Sequence, residues 1–293
     1  MPNPLSVALL LATSPLWAAI ATAAPPNAPA ALDIDKIAAI GEAHAPDGGP
    51  LLYREYHSYS PDGIHHHVLY RDSTDQPLTE KTISYATGPA TPTFTQQNVQ
   101  TGRRLQVLWN KPPKNASRPA LQNEPAQNAT PDKNNRASTA NTGNKTTKPS
   151  PIKAGTAQTN PKSPATLRVL DSRRKTAKTL TPSGQFPLVI DAGFDPFIRA
   201  HLPHLLAGEQ LTFEFLFAKR ARLIRLKAQA QPCKDTPQNH CILIKPHSRL
   251  IRLIAPPLRL EYDQTPRLIR YRGPSNLSDH QGKGKQVEIH YQY

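Results

Sequence analysis

Residues 62–72, DGIHHHVLYRD, set three histidines side by side directly after a Pro-Asp-Gly turn. Imidazole nitrogens are the commonest protein ligands for zinc and copper, and side chains two apart on a strand project to the same side. His65 and His67 would share a face with Leu69 and Arg71, and His66 would join Ile64, Val68 and Tyr70 on the other. A catalytic metal centre usually takes a third protein ligand. Glu55, His57 and His44 are the nearest suppliers in sequence, but no spacing fixes any of them. The reading favoured is a hairpin strand that uses histidine at polar positions, with no metal assigned. His201 and His204 stand one helical turn apart but lack the glutamate of the helical zinc-hydrolase pattern. GPSNLSDHQGKG lacks the glycine–lysine spacing of a phosphate cradle, there is no Gly-x-Ser-x-Gly elbow, and no carboxylate pair can be placed across a cleft. No catalytic residue and no cofactor are assigned, and the reading leans away from an enzyme.

The other chemistry on offer is apolar. In LTFEFLFA (211–218), Leu211, Phe213, Phe215 and Phe217 point one way and Thr212 and Glu214 the other. Four such side chains on one face must be buried, either beneath a helix or as the wall of a cavity that takes an acyl chain. The ligand reading assigns Leu211, Phe213, Phe215 and Phe217 to a lipid-like ligand. Arginines recur opposite the apolar face of the later strands, at 222, 225, 249, 252, 259, 267, 270 and 272. Arg225, Arg252, Arg270 and Arg272 are the expected contacts with an anionic membrane surface. The net charge of +15 divides unevenly: −3 over residues 1–109, +7 over 110–166 and +11 over 167–293. In an exported protein that balance fits anionic head groups better than nucleic acid, and it fits a simply solvated surface equally well. The alternative function is a docking module that binds the envelope or another protein through its basic face and the 110–166 tract. No protein partner can be named.

Export is read from PLSVALLLATSPLWAAIATAA, an apolar run ending in Ala21-Thr22-Ala23, the small-x-small pattern of a cleaved leader. Residues 1–23 are assigned to that signal peptide and the mature chain to the periplasm. Cys233 and Cys241, separated by KDTPQNH, are then most simply a disulfide pinning a hairpin tip. Residues 110–166 are Pro, Asn, Thr, Ala and Lys with almost no large apolar side chain, a composition that cannot offset the entropy of ordering.

The elements that position these side chains are mostly strands. LLYREYHSY and IHHHVLYRD flank a Ser60-Pro61-Asp62-Gly63 turn; LTEKTISYA and RRLQVLWN follow. ALDIDKIAAIGEA fits a short helix or a strand equally well. DAGFDPFIRAHLPHLLAGE predicts a helix with Asp195 as N-cap, Pro196 at its first position, a kink at Pro203 and Gly208 past its end. ARLIRLKAQ, CILIK, RLIRLIA, LRLEYD, RLIRYRG and KQVEIHYQY are further strands, the last with Val287, Ile289, Tyr291 and Tyr293 on one face. The architecture predicted is mainly β: a strongly curved antiparallel sheet or open barrel with one helix in its concave face.

Three segments carry a resemblance: LLYREYHSYSPDGIHHHVLYRDSTDQPLTEKTISYA, VIDAGFDPFIRAHLPHLLAGEQLTFEFLF and LEYDQTPRLIRYRGPSNLSDHQGKGKQVEIHY. Together they resemble a family of exported proteins of gram-negative bacteria whose function is unknown. They fall on both sides of residues 110–166, so the resemblance implies one β-rich domain, 24–109 and 167–293, interrupted by an insertion. By analogy with half-barrel periplasmic lipoprotein carriers it favours an envelope role. It assigns no site residue: Asp191, Phe194, Asp195, Asn276 and Asp279 match its motifs and fit caps and turns as well as a binding site.

Overall fold

The Ser60–Gly63 turn forms as its composition predicts. Asp62 Oδ1 accepts the Ile64 amide at 3.0 Å, and Gly63 takes the left-handed φ of 64° that the turn needs. It joins β2 (Leu51–Tyr59) to β3 (His65–Asp72) in register from Tyr53↔Asp72 to Tyr59↔His66. The same up-and-down pattern takes in β1 (Ile37–His44), β4 (Pro77–Ser84), β5 (Thr93–Asn98) and β6 (Arg104–Lys111). The structure is a computed structural model, and it describes residues 36–112, 164–248, 256–277 and 284–293. The leader, most of the 110–166 tract, Arg249, Arg252 and Asp279 lie outside the described residues.

Beyond the tract, β7 (Thr166–Asp171) pairs antiparallel with β6, and β8 (Lys178–Leu180) pairs with β7. The chain then crosses to β9 (Leu188–Ile190), which runs parallel to β10 (Leu211–Phe217). β11 (Arg222–Gln231), β12 (His240–Pro246), β13 (Leu258–Tyr262), β14 (Leu268–Pro274) and β15 (Gln286–Gln292) follow as an antiparallel meander. β15 closes beside β1, with Ile40 opposite Gln292 and His44 opposite Glu288. The fifteen strands thus form one mixed sheet that does not close, with β8 and β9 at its edges.

Those edges approach without pairing. Leu167 and Val169 on β7 share an apolar cluster with Leu216 on β10 and with Ala218 and Ala221 just beyond it. The sheet is therefore curled, as the curved or open-barrel reading expects. ALDIDKIAAIGEA resolves, over its described part, into strand β1. Its inward positions are small (Ala39, Gly41 and Ala43), and a Cβ on Gly41 would sit 2.8 Å from the Tyr291 ring.

The helix is shorter than predicted and starts differently. Asp191–Gly193 form a 3-10 turn, α1 spans Phe194–Ala200, and α2 spans Leu202–Leu206 after the break that Pro203 enforces. Asp195 is not the N-cap. It lies inside the first turn, where its Oδ2 pairs with Arg199 one turn on at 3.0 Å. Phe197, Ile198, Leu202 and Leu205 pack against Phe213, Leu226, Ile242, Ile244 and Leu260, so the helix covers the β9–β13 half of the sheet. Cys233 and Cys241 are disulfide-bonded at the β11–β12 hairpin. Glu261 ties the same loop down, accepting the Asn239 side-chain amide at 2.7 Å and the Thr236 hydroxyl.

Candidate functional site

The phenylalanine ladder divides. Phe213 is fully buried beneath the helix, its ring 5.0 Å from Phe197 and 5.9 Å from Phe194, so a ligand cannot reach it while the helix stays in place. Phe215, against Phe194 at 5.6 Å, faces a cavity of about 450 Å³; Leu211 is partly buried, and Phe217 is 41% exposed on the surface. The strand is not one-sided either. Glu214 and Leu216, on the supposed polar face, are buried, and Glu214 accepts the Ser183 amide at 2.9 Å.

That cavity lies between the start of α1 and the inward faces of β2–β4 and β13–β15. Its apolar wall is Phe194, Phe215, Leu258, Leu260 and Ile289. Its other wall is made of groups the hydrophobic pattern never marked. Alternation along β2 turns Tyr53, Glu55, His57 and Tyr59 inward, the last three onto this cavity, and β3 answers with His66, Val68 and Tyr70. The histidine triplet is split accordingly. His66 is buried in the cavity wall, His65 is exposed, and His67 pairs outside with Glu80 at 2.7 Å. His44 bonds to the Gly49 carbonyl in a turn, and His201 to the Phe197 carbonyl of its own helix, so neither joins a ligand set. Among the described residues the grouped metal-ligand atoms are those of Cys233, Cys241 and Glu261, where the sulfurs are already bonded to each other.

Glu55 organises the polar wall. Its Oε2 takes His57 Nε2 and the Tyr291 hydroxyl, both at 3.2 Å. His57 Nδ1 lies 3.0 Å from His66 Nε2, His66 Nδ1 lies 3.4 Å from the Tyr85 hydroxyl, and that hydroxyl donates to the Ala192 carbonyl at 3.3 Å. With the Tyr85 proton on the Ala192 carbonyl, His66 donates from Nδ1 to Tyr85 and accepts at Nε2 from His57 Nδ1, an assignment made from the bonding pattern. Burial, aided by His57, holds the His66 imidazole well below its usual value, which agrees with its carrying one ring proton. The Tyr59 ring stacks on His66 at 4.2 Å and closes this end.

Lys81 and Asp191 form a buried ion pair between β4 and the 3-10 turn, with the ammonium also 4.7 Å above the Phe94 ring. Sequence gave no sign of it, since 110 residues separate the partners. A second hollow, of about 650 Å³, opens on the side lined by Arg103, Arg173, Lys219 and Lys285. Lys219 donates to the Ser275 and Leu277 carbonyls at 3.2 and 3.0 Å, and burial lowers its ammonium to about 8. A lysine whose folded pKa lies below its unfolded one binds fewer protons when folded, so stability rises with pH between the two values. Between pH 8 and 9 the urea stability of the unaltered protein relative to Lys219→Met should rise by about 1 kcal/mol, the ionisation of tyrosines being common to both proteins.

The predicted surface arginines differ in their surroundings. Arg225 is exposed and stacks on Phe186 at 4.9 Å. Arg270 pairs with Glu261 at 2.8 Å, and Arg272 pairs with Asp47, so both are already engaged by carboxylates. Asn276 lines the 450 Å³ cavity. No protein-family model matches the sequence, and no curated protein matches it. Among solved structures, a β-barrel-like protein of a domain of unknown function from Brucella abortus is similar at 7% identity and a TM-score of 0.33, covering 87% of this chain and 96% of that one.

Proposed function

We propose that the protein is a non-catalytic ligand-holding module of the cell envelope, which keeps an apolar, lipid-like ligand inside its curved sheet. The observation that carries this reading is the cavity of about 450 Å³ beside α1, a volume within the range of small-molecule sites. Its wall of Phe194, Phe215, Leu258, Leu260 and Ile289 offers apolar area that a ligand would remove from water. The apolar leader and the resemblance of three segments to exported proteins support an envelope setting, with residues 110–166 as an insertion in one domain. The excess of +11 over residues 167–293 supports an approach to anionic head groups, made by exposed arginines such as Arg222, Arg225 and Arg259.

Protein prepared without detergent should retain an acyl-chain mass in native mass spectrometry or, once stripped, bind the apolar fluorophore diphenylhexatriene saturably at one site. Ala38 lines the cavity from an exposed position, so Ala38→Trp should fold and cut that binding at least tenfold. A bare polypeptide mass together with unsaturable fluorophore uptake would overturn the reading.

A further inference from the structure

The cavity has a chemical polarity that its apolar wall does not explain. Glu55 is 2% exposed, and its two carboxylate oxygens are treated unequally. Oε2 accepts from Tyr291 and lies 3.2 Å from His57 Nε2, while Oε1 is buried and has no partner. A buried carboxylate oxygen without a donor costs on the order of 1–3 kcal/mol or more, so the arrangement needs a donor from elsewhere. The lining cations are committed already: Lys81 to Asp191, Arg199 to Asp195 and Arg267 to Asp263. What Glu55 has left over at the cavity is an acceptor.

We infer that the cavity selects an amphiphile whose polar end donates hydrogen bonds, a protonated primary amine above all, and seats that end on Glu55 Oε1 with its chain along Phe194, Phe215 and Ile289. The inference rests on the cavity's being a ligand site and adds the class of ligand. A carboxylate head would set like charge against Glu55 and leave Oε1 unsatisfied. A hydroxyl would satisfy the oxygen without the charge, so the expected order is amine, then alcohol, then carboxylate.

Three probes of one chain length separate these cases: dodecylamine, dodecanol and dodecanoate, titrated by calorimetry into the full chain at neutral pH. Dodecylamine should bind at least tenfold tighter than dodecanoate, with dodecanol between them. Glu55→Gln is informative because it keeps the side chain's shape and removes the charge that a protonated amine would pair with. Dodecylamine should then lose about tenfold while dodecanol changes little. Equal affinity for the three probes on the unaltered protein, or tighter dodecanoate, overturns the inference and leaves the ligand-holding reading standing. Failure of all three to bind instead removes the ligand-holding reading itself. The comparison among probes needs no variant, so it holds even if Glu55→Gln does not fold.

Discussion

Lys81→Met should cost about 3–5 kcal/mol of folding free energy, measured as the urea midpoint followed by Trp109 fluorescence. Lys81 is 2% exposed and its ammonium meets Asp191 across the interior, while methionine keeps most of the chain's volume but no charge. The cost comes from the partner: the Asp191 carboxylate would remain inside without its cation. Asp191 also holds a left-handed φ of 40°, at the turn that launches α1, so a shift there would move Phe194 and the cavity wall. Replacing both partners, Lys81→Met with Asp191→Asn, should recover most of the loss, because no unpaired charge is left. A single-variant cost below about 1 kcal/mol would mean that the pair is solvated.

Gly193→Ala is the second large effect. Gly193 has φ −73°, which alanine adopts freely, so backbone strain plays no part. The obstacle is space: a Cβ there would lie 2.2 Å from the Ala90 carbonyl oxygen and 2.8 Å from Pro92 Cδ. The Ala90 carbonyl also accepts the Ile190 amide at 2.8 Å, so the loop before β5 cannot retreat without giving up that bond. The expected loss is about 3 kcal/mol, the upper end for overpacking, because main chain rather than a flexible side chain must move. Gly284→Ala, whose Cβ would meet nothing closer than 3.5 Å, is the matched control and should stay within about 0.5 kcal/mol.

Gly193 and Asp191 also show what the sequence could convey. DAGFD is recognisable as a motif, and its composition suggests a cap at Asp195, but a 3-10 turn opens at Asp191, four residues earlier, and puts Asp195 inside the first turn. The role of Asp191 depends on Lys81, and no local rule links positions 110 apart. The hairpin from Leu51 to Asp72 was legible because turn chemistry and β-forming residues agree there. β5, TFTQQN, was not, since two glutamines hide the alternation, and the three-residue β9 is too short to carry a pattern.

The candidate site was legible only in fragments. Alternation placed His66 with Val68 and Tyr70, which is the face it occupies. The inward row of β2 is Tyr53, Glu55, His57 and Tyr59, without one aliphatic residue, so a hydrophobic pattern cannot mark it as interior. The Phe ladder had the opposite fault. Its alternation was clear, but alternation cannot tell burial beneath a helix from exposure to a ligand, and the structure divides the row between the helix, the cavity and the surface.

The place of β15 has a consequence for how the chain reaches this state. Every strand but one pair finds its sheet neighbours next to it in strand order, so β1–β6 and β10–β15 can each zip up from nearby segments, while β7 joins β6 across residues 112–165. The exception is β1 with β15, a contact that spans nearly the whole described chain. Closing so long a loop is slow, and its entropic cost comes before any of its contacts form. Tyr291, which completes the Glu55 arrangement, arrives on that last strand. Docking of β1 against β15 is therefore the expected late step in folding, and the cavity's polar wall would be assembled only when it is complete.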